Sequence, residues 1–231
     1  MLPHFVVHCA TIARQPPPPG RLGAIRWSAV CSGVIQPQAD AKIGTRFLIQ
    51  PGWQNSGPHH WQTLWENQLG HAAMRVSQQD WMVPERTAWV AGLEQTIRRT
   101  SSPIVILAHS IGCLATIFAI AAAPVAAIVL VAPADAERSD APGALHTFTP
   151  IPMTPLAIPA LLVVSDSDPY CTLVRAEAFA QAWKADLEIV ANGGHINAEA
   201  GFGPWPDGWW MVGTWLRRHG LDWPESERMH A

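Results

Sequence analysis

Between Arg46 and Gly220 short apolar runs alternate with longer amphipathic stretches, and that alternation leaves few architectures open. The runs are Arg46–Gln50, Met74–Ser77, Ile104–Leu107, Ile128–Val131, Ala160–Ser165 and Leu187–Val190. Ile104-Val105-Ile106-Leu107 has no polar member, as a strand covered on both faces requires. Between the runs, apolar residues recur at helical spacing. One set is Trp61, Leu64, Trp65 and Leu69, and another is Trp89, Leu93 and Ile97, with Pro84 expected in the first turn of its helix. Further helices are expected from Ile111 to about Ala123, from Leu173 to Trp183, and from near Pro206 to Arg218, where Gly220 is placed to cap. Strands separated by helices of this length predict parallel βαβ units. The fold class is therefore α/β, a doubly wound and mostly parallel sheet. In such sheets ligand sites lie beyond the carboxyl ends of the strands.

Length and composition bound what else the chain can be. At 231 residues it is expected to form one domain, over residues 43–222, with 223–231 as a tail. Residues 1–42 contain Pro16-Pro17-Pro18-Pro19-Gly20 and no clear periodicity; they read as a disordered leader, or at most one added edge strand, and not as a secretory signal. A net charge of −3 with scattered Lys and Arg gives no footprint for nucleic acid. The uncharged stretch Ile111–Ala134 mimics a membrane span. Pro124 and the β-branched run after it favour a buried helix followed by a buried strand. Cys9, Cys31, Cys113 and Cys171 contain no CxxC pair, which suits free thiols in the cytoplasm and gives no zinc site. The oligomeric state is not legible, and a monomer is compatible with the composition.

Three strand ends carry chemistry. Ala108-His109-Ser110-Ile111-Gly112 follows one buried strand and opens a helix. A serine on such a sharp turn needs small residues two positions away on either side, and the helix N-terminus behind it favours developing negative charge. Asp168 follows the strand Ala160–Ser165, and His195 follows Leu187–Val190. The chain order Ser, Asp, His is that of α/β-hydrolases, with Ser110 as nucleophile, His195 as base and Asp168 as the acid that orients it. Asp166 and Asp135 remain alternative acids. The oxyanion donors are expected to be the backbone N–H groups of Ile111 and Trp53, each worth about 3 kcal/mol in such sites. Trp53, Phe148 and Trp205 are the expected substrate-binding wall. His109 reads as structural, and the His59-His60 pair as packing near the site mouth.

From about Thr45 to Gly220 the chain resembles the retinoblastoma-binding-protein-nine-like (YdeN-like) serine hydrolases. The matching segments are Gln50-Pro51-Gly52-Trp53, His60-Trp61-Gln62 with Trp65-Glu66, the Ser110 turn, Ser167-Asp168-Pro169 and Gly194-His195-Ile196-Asn197. Gly201-Phe202-Gly203 and Trp205-Pro206-Asp207-Gly208 also match; Ala108 in place of Gly is a departure. The resemblance implies a compact fold with little or no cap and a hydrolase needing neither metal nor organic cofactor. Its partner would be a small-molecule ester or related acyl compound. A binding protein that lost activity, or an acyltransferase on the same scaffold, are the rival readings.

Overall fold

The computed structural model describes residues 44–120 and 124–224. The expected leader lies outside them, as do the end of the helix placed at Ile111–Ala123 and all of the tail beyond Pro224. Six strands form one sheet: β1 (Arg46–Gln50), β2 (Ala73–Arg75), β3 (Ile104–His109), β4 (Ala127–Val131), β5 (Ala160–Ser165) and β6 (Asp186–Val190). All neighbours pair in parallel, in the order β2-β1-β3-β4-β5-β6. The chain steps outward from β1 to β2, then returns to the other side of β1 as β3. The crevice above the β1–β3 pair is therefore the topological switch point, where such sheets bind ligands. Its register sets Gln50 beside Ala108, so the two strands end side by side.

Alternation along each strand sorts the core into two layers. Leu48, Ile106, Leu130 and Leu162 face α2 (Arg86–Arg98), α3 (Ile111–Ala119) and α4 (Leu173–Trp183). Ile49, Leu107, Val129 and Val163 face α1 (Trp61–Leu69) and α5 (Pro206–Arg218). Both faces are covered, which is why the central strands are apolar throughout. The apparent membrane stretch resolves into α3 and β4, and among the described residues no helix is long and apolar enough to cross a membrane.

The α1/α5 layer is filled with indoles. Trp61, Trp65, Trp209 and Trp223 are all buried; Trp65 meets Trp209 edge-on at 5.4 Å, and Trp209 contacts Trp223 at 4.5 Å. Each such ring contributes about 1.5–3 kcal/mol by leaving water. Trp223, expected in the tail, thus closes the core. Gly213 makes room for it, since a Cβ there would stand 2.3 Å from the Trp223 ring.

Helix ends depart from expectation in instructive ways. Pro84 lies before α2 rather than in its first turn, and Glu85 is the N-cap, its carboxylate accepting from Thr87 and Ala88 N–H. Those backbone hydrogen bonds hold its carboxyl below the usual range. At α5, Pro206 occupies the first helical position, and Gly220 at φ 71 donates to the Arg217 carbonyl beyond the other end.

Candidate active site

Ser110 sits between β3 and α3 at φ 55 and ψ −130, a conformation side chains rarely adopt. The turn is tight because two backbones approach it. A Cβ on Gly112 would stand 2.3 Å from the Pro51 carbonyl oxygen, and one on Gly52 would stand 2.7 Å from Ser110 Cβ. These contacts explain the glycine two residues after the serine and the Pro51-Gly52 pair after β1. Buried Gln62 locks the crevice. Its amide donates to the Gln50 and Leu107 carbonyls at 3.1 and 3.0 Å and accepts from the Ser56 hydroxyl at 2.6 Å. Sequence reasoning gave Gln62 no role, although a glutamine on the inner face of an amphipathic helix is itself a signal.

The loops after β3, β5 and β6 bring three side chains together. The Ser110 hydroxyl donates to His195 Nε2 at 2.9 Å. His195 Nδ1 donates to both carboxylate oxygens of Asp168, at 2.9 and 3.1 Å. The Asp168 side chain is only 3% exposed, and one of its oxygens also accepts the Tyr170 N–H. The other two acids are engaged elsewhere: Asp166 accepts the Asn192 N–H at the start of the His195 loop, and Asp135 pairs with Arg175.

Two further histidines pack in series toward this group, His60 edge-on to His109 with ring centroids 4.7 Å apart and His109 tilted against His195 at 4.9 Å. His109 Nε2 donates to the His195 backbone carbonyl at 2.9 Å, so its proton is on that nitrogen. His60 Nδ1 accepts the Gln62 N–H as the cap of α1. Burial, then Arg75, then His195 push His60 down to about 4. Burial, then His195, then His60 hold His109 well below the ordinary range. Both rings therefore stay neutral at neutral pH. Ile196 has φ 46, strained for a β-branched residue, and its carbonyl is held by Trp61 Nε1 at 3.0 Å.

A cavity of about 490 Å³ opens over Ser110. Trp53 lines it, its indole anchored to the Met82 carbonyl at 2.9 Å. Ile111 follows the serine and Trp53 lines the same cavity. The Ile111 N–H lies in the first turn of α3, where no intrahelical acceptor exists, and no described residue accepts the Trp53 N–H. The two other expected wall residues are elsewhere. Phe148 is fully buried against Trp89 and Phe118, because the 3₁₀ turn Gly143–Phe148 points it into the α2/α3 layer. Pro142 and Leu145 of the same segment reach the cavity instead. Trp205 stacks on Trp65 at 5.5 Å inside the indole layer, pressed against Gly208, where a Cβ would stand 2.2 Å from its ring. In both cases burying the ring removes more apolar surface from water than edging a wet cleft would.

His60 lines the mouth, as the sequence suggested, whereas Arg138, Tyr170 and Glu199 were missed. All three follow strand ends, so the carboxyl-end rule was their available signal. Among the described residues no cluster of three His, Cys, Asp or Glu side chains suits a metal ion. Burial raises the Cys113 thiol well above its ordinary range and the Cys171 thiol to about 12, so neither is a ready nucleophile.

The model of one family, serine hydrolase, matches residues 47–214. The chain belongs to the serine hydrolase family. A protein from Pectobacterium atrosepticum described as a YdeN-like hydrolase is similar to it at 31% identity and TM-score 0.69, over 76% of this chain and 92% of that one. The ydeN gene product of Bacillus subtilis matches at 19% identity and TM-score 0.63, over 75% of this chain and 99% of that one. Esterase 2 of Thermogutta terrifontis, solved phosphonylated by cyclosarin, matches at 16% identity and TM-score 0.59, over 83% and 88%. The last two likenesses are of fold alone. No curated protein matches. This serine hydrolase thus has the compact α/β-hydrolase fold: the long connection between β4 and β5 carries one 3₁₀ turn and no inserted cap.

Proposed function

We propose that this serine hydrolase cleaves small acyl esters through an acyl-enzyme on Ser110, in the manner its resemblance to the retinoblastoma-binding-protein-nine-like group implies. The observation that carries the reading is the continuous hydrogen-bonded chain from Ser110 through His195 to Asp168. In the first step Ser110 Oγ bonds to the acyl carbon while its proton passes to His195 Nε2. Asp168 holds the ring by Nδ1–H and stabilises the imidazolium. The bond to the leaving oxygen then breaks, and that oxygen takes the proton from Nε2. Water repeats the sequence: its oxygen bonds to the acyl carbon, its proton goes to His195, and the Ser110 ester bond breaks with return of the proton. The Trp53 and Ile111 N–H groups would carry the oxyanion. An open cavity of about 490 Å³ favours short acyl groups over long lipid chains. Free thiols at Cys113 and Cys171 fit a cytoplasmic setting.

The test is labelling by a fluorophosphonate probe together with turnover of 4-nitrophenyl esters of increasing chain length. Wild type should label and turn over, with rates falling as the chain lengthens, and Ser110→Ala should do neither. Equal labelling of both proteins would overturn the assignment. Transfer of the acyl group to added alcohols in preference to water would make the protein an acyltransferase.

A further inference from the structure

We propose that Arg138 makes the Ser110 cavity selective for esters that carry a carboxylate. The inference rests on the hydrolase reading above and names its substrate class. Arg138 follows β4 and lines the cavity, and its side chain is 21% exposed. Its guanidinium lies 5.4 Å over the Tyr170 ring, and that ring packs edge-on against His195 at 4.6 Å. A cation is thereby fixed on the wall next to the proposed base.

Only one of its nitrogens is engaged. Nη1 donates to Asp140 at 3.1 Å and to the Pro169 carbonyl at 3.2 Å, while Nε and Nη2 bond no described residue. These two present adjacent N–H donors in the fork geometry that takes a carboxylate bidentately. Asp140 is 75% exposed, and a surface ion pair of that kind is weak enough to leave the charge available. Asp135 and Glu137 are paired with Arg175, and Glu199, the one acid among the described residues lining the cavity, stands on the β6 loop and accepts from the Asn197 amide. His60 and His109 are neutral, so Arg138 holds the one permanent positive charge among the described residues lining the cavity.

The test compares near-isosteric ester pairs. Hydrolysis of 4-nitrophenyl hemisuccinate against 4-nitrophenyl butyrate reads a carboxylate on the acyl side; 4-carboxyphenyl acetate against phenyl acetate reads one on the leaving group. Wild type should favour the anionic member of at least one pair by roughly tenfold in kcat/KM, chiefly through KM. Arg138→Gln should erase that preference, the anionic ester losing roughly tenfold relative to the neutral one. Arg138→Lys should keep part of it, and Asp140→Asn should enlarge it. If anionic and neutral rates fall together in Arg138→Gln, or wild type prefers the neutral ester in both pairs, the proposal fails while the hydrolase reading stands. Calorimetry with Ser110→Ala, comparing monomethyl succinate with methyl butyrate, reads the same preference without turnover. Wild type inert toward all four esters would sink the hydrolase reading. Equal binding of the two methyl esters would sink the arginine.

Discussion

The rim above the strand ends and the indole layer beneath α1 and α5 are made of opposite materials. The rim holds strained backbone at Ser110 and Ile196, titratable rings at His60, His109 and His195, and a buried carboxylate. The indole layer holds large rings in contact; Trp61 and Trp65 donate to the Ile196 and Pro204 carbonyls, while the Trp209 and Trp223 N–H groups find no partner among the described residues. The first region stores cost and the second supplies the packing that offsets it. They meet at one residue, because Trp61 both fills the layer and holds the loop that carries His195. Stability and chemistry should therefore be separable by substitution everywhere except at that junction.

The largest expected break is Ser110→Ala. Ester turnover should fall by about 10⁴-fold or more while the melting temperature stays within a degree or two of wild type. A parallel loss of melting temperature would show that the rim contributes to packing after all.

Acid should strike the rim through its neutral histidines. Below about pH 6.5 the unfolded chain binds a proton at residue 60 that the folded ring refuses until about 4. Stability contributed there is full above pH 6.5 and is lost as pH falls toward 4, by about 3 kcal/mol. His109, held low by burial, acts in the same direction. Urea unfolding of wild type and His60→Gln across this range checks it; the variant should show the shallower fall.

Gly213→Ala attacks the other region. Its new Cβ meets the Trp223 ring, so overpacking should cost about 1–3 kcal/mol, read by urea midpoint, with kcat of the folded protein unchanged. The smallest effect concerns support of His195, the proposed base. His109→Phe removes the donor to the His195 carbonyl and should lower kcat roughly tenfold, with KM nearly constant. A KM-dominated change would place His109 in substrate binding instead.

The fold was legible wherever one physical rule acted alone. Strand-and-helix alternation located β1, β4 and β5 within a residue and β3 at its start but two residues short at its end, since central strands covered on both faces can be nothing but apolar. The edge strand β2, three residues long and partly exposed, came out shifted for want of that constraint. Ser110, Asp168 and His195 stood out because each lies within five residues of a strand end, and the sharp turn at Ser110 demands the small residues seen around it. The cavity wall did not stand out. Whether an aromatic ring lines a cleft or enters the core depends on which neighbours leave it a hole, and Phe148 and Trp205 each found one.

The chain alone determined the order of elements along the sequence and three residues placed near strand ends, because these follow from periodicity and local turn chemistry; strand pairing in the folded sheet set the switch point between β1 and β3. Tertiary packing decided which of three aspartates reaches His195, where the tryptophans go, and that Arg138 faces the cavity. Those outcomes turn on contacts between loops far apart in sequence, and no local pattern encodes the distance between them.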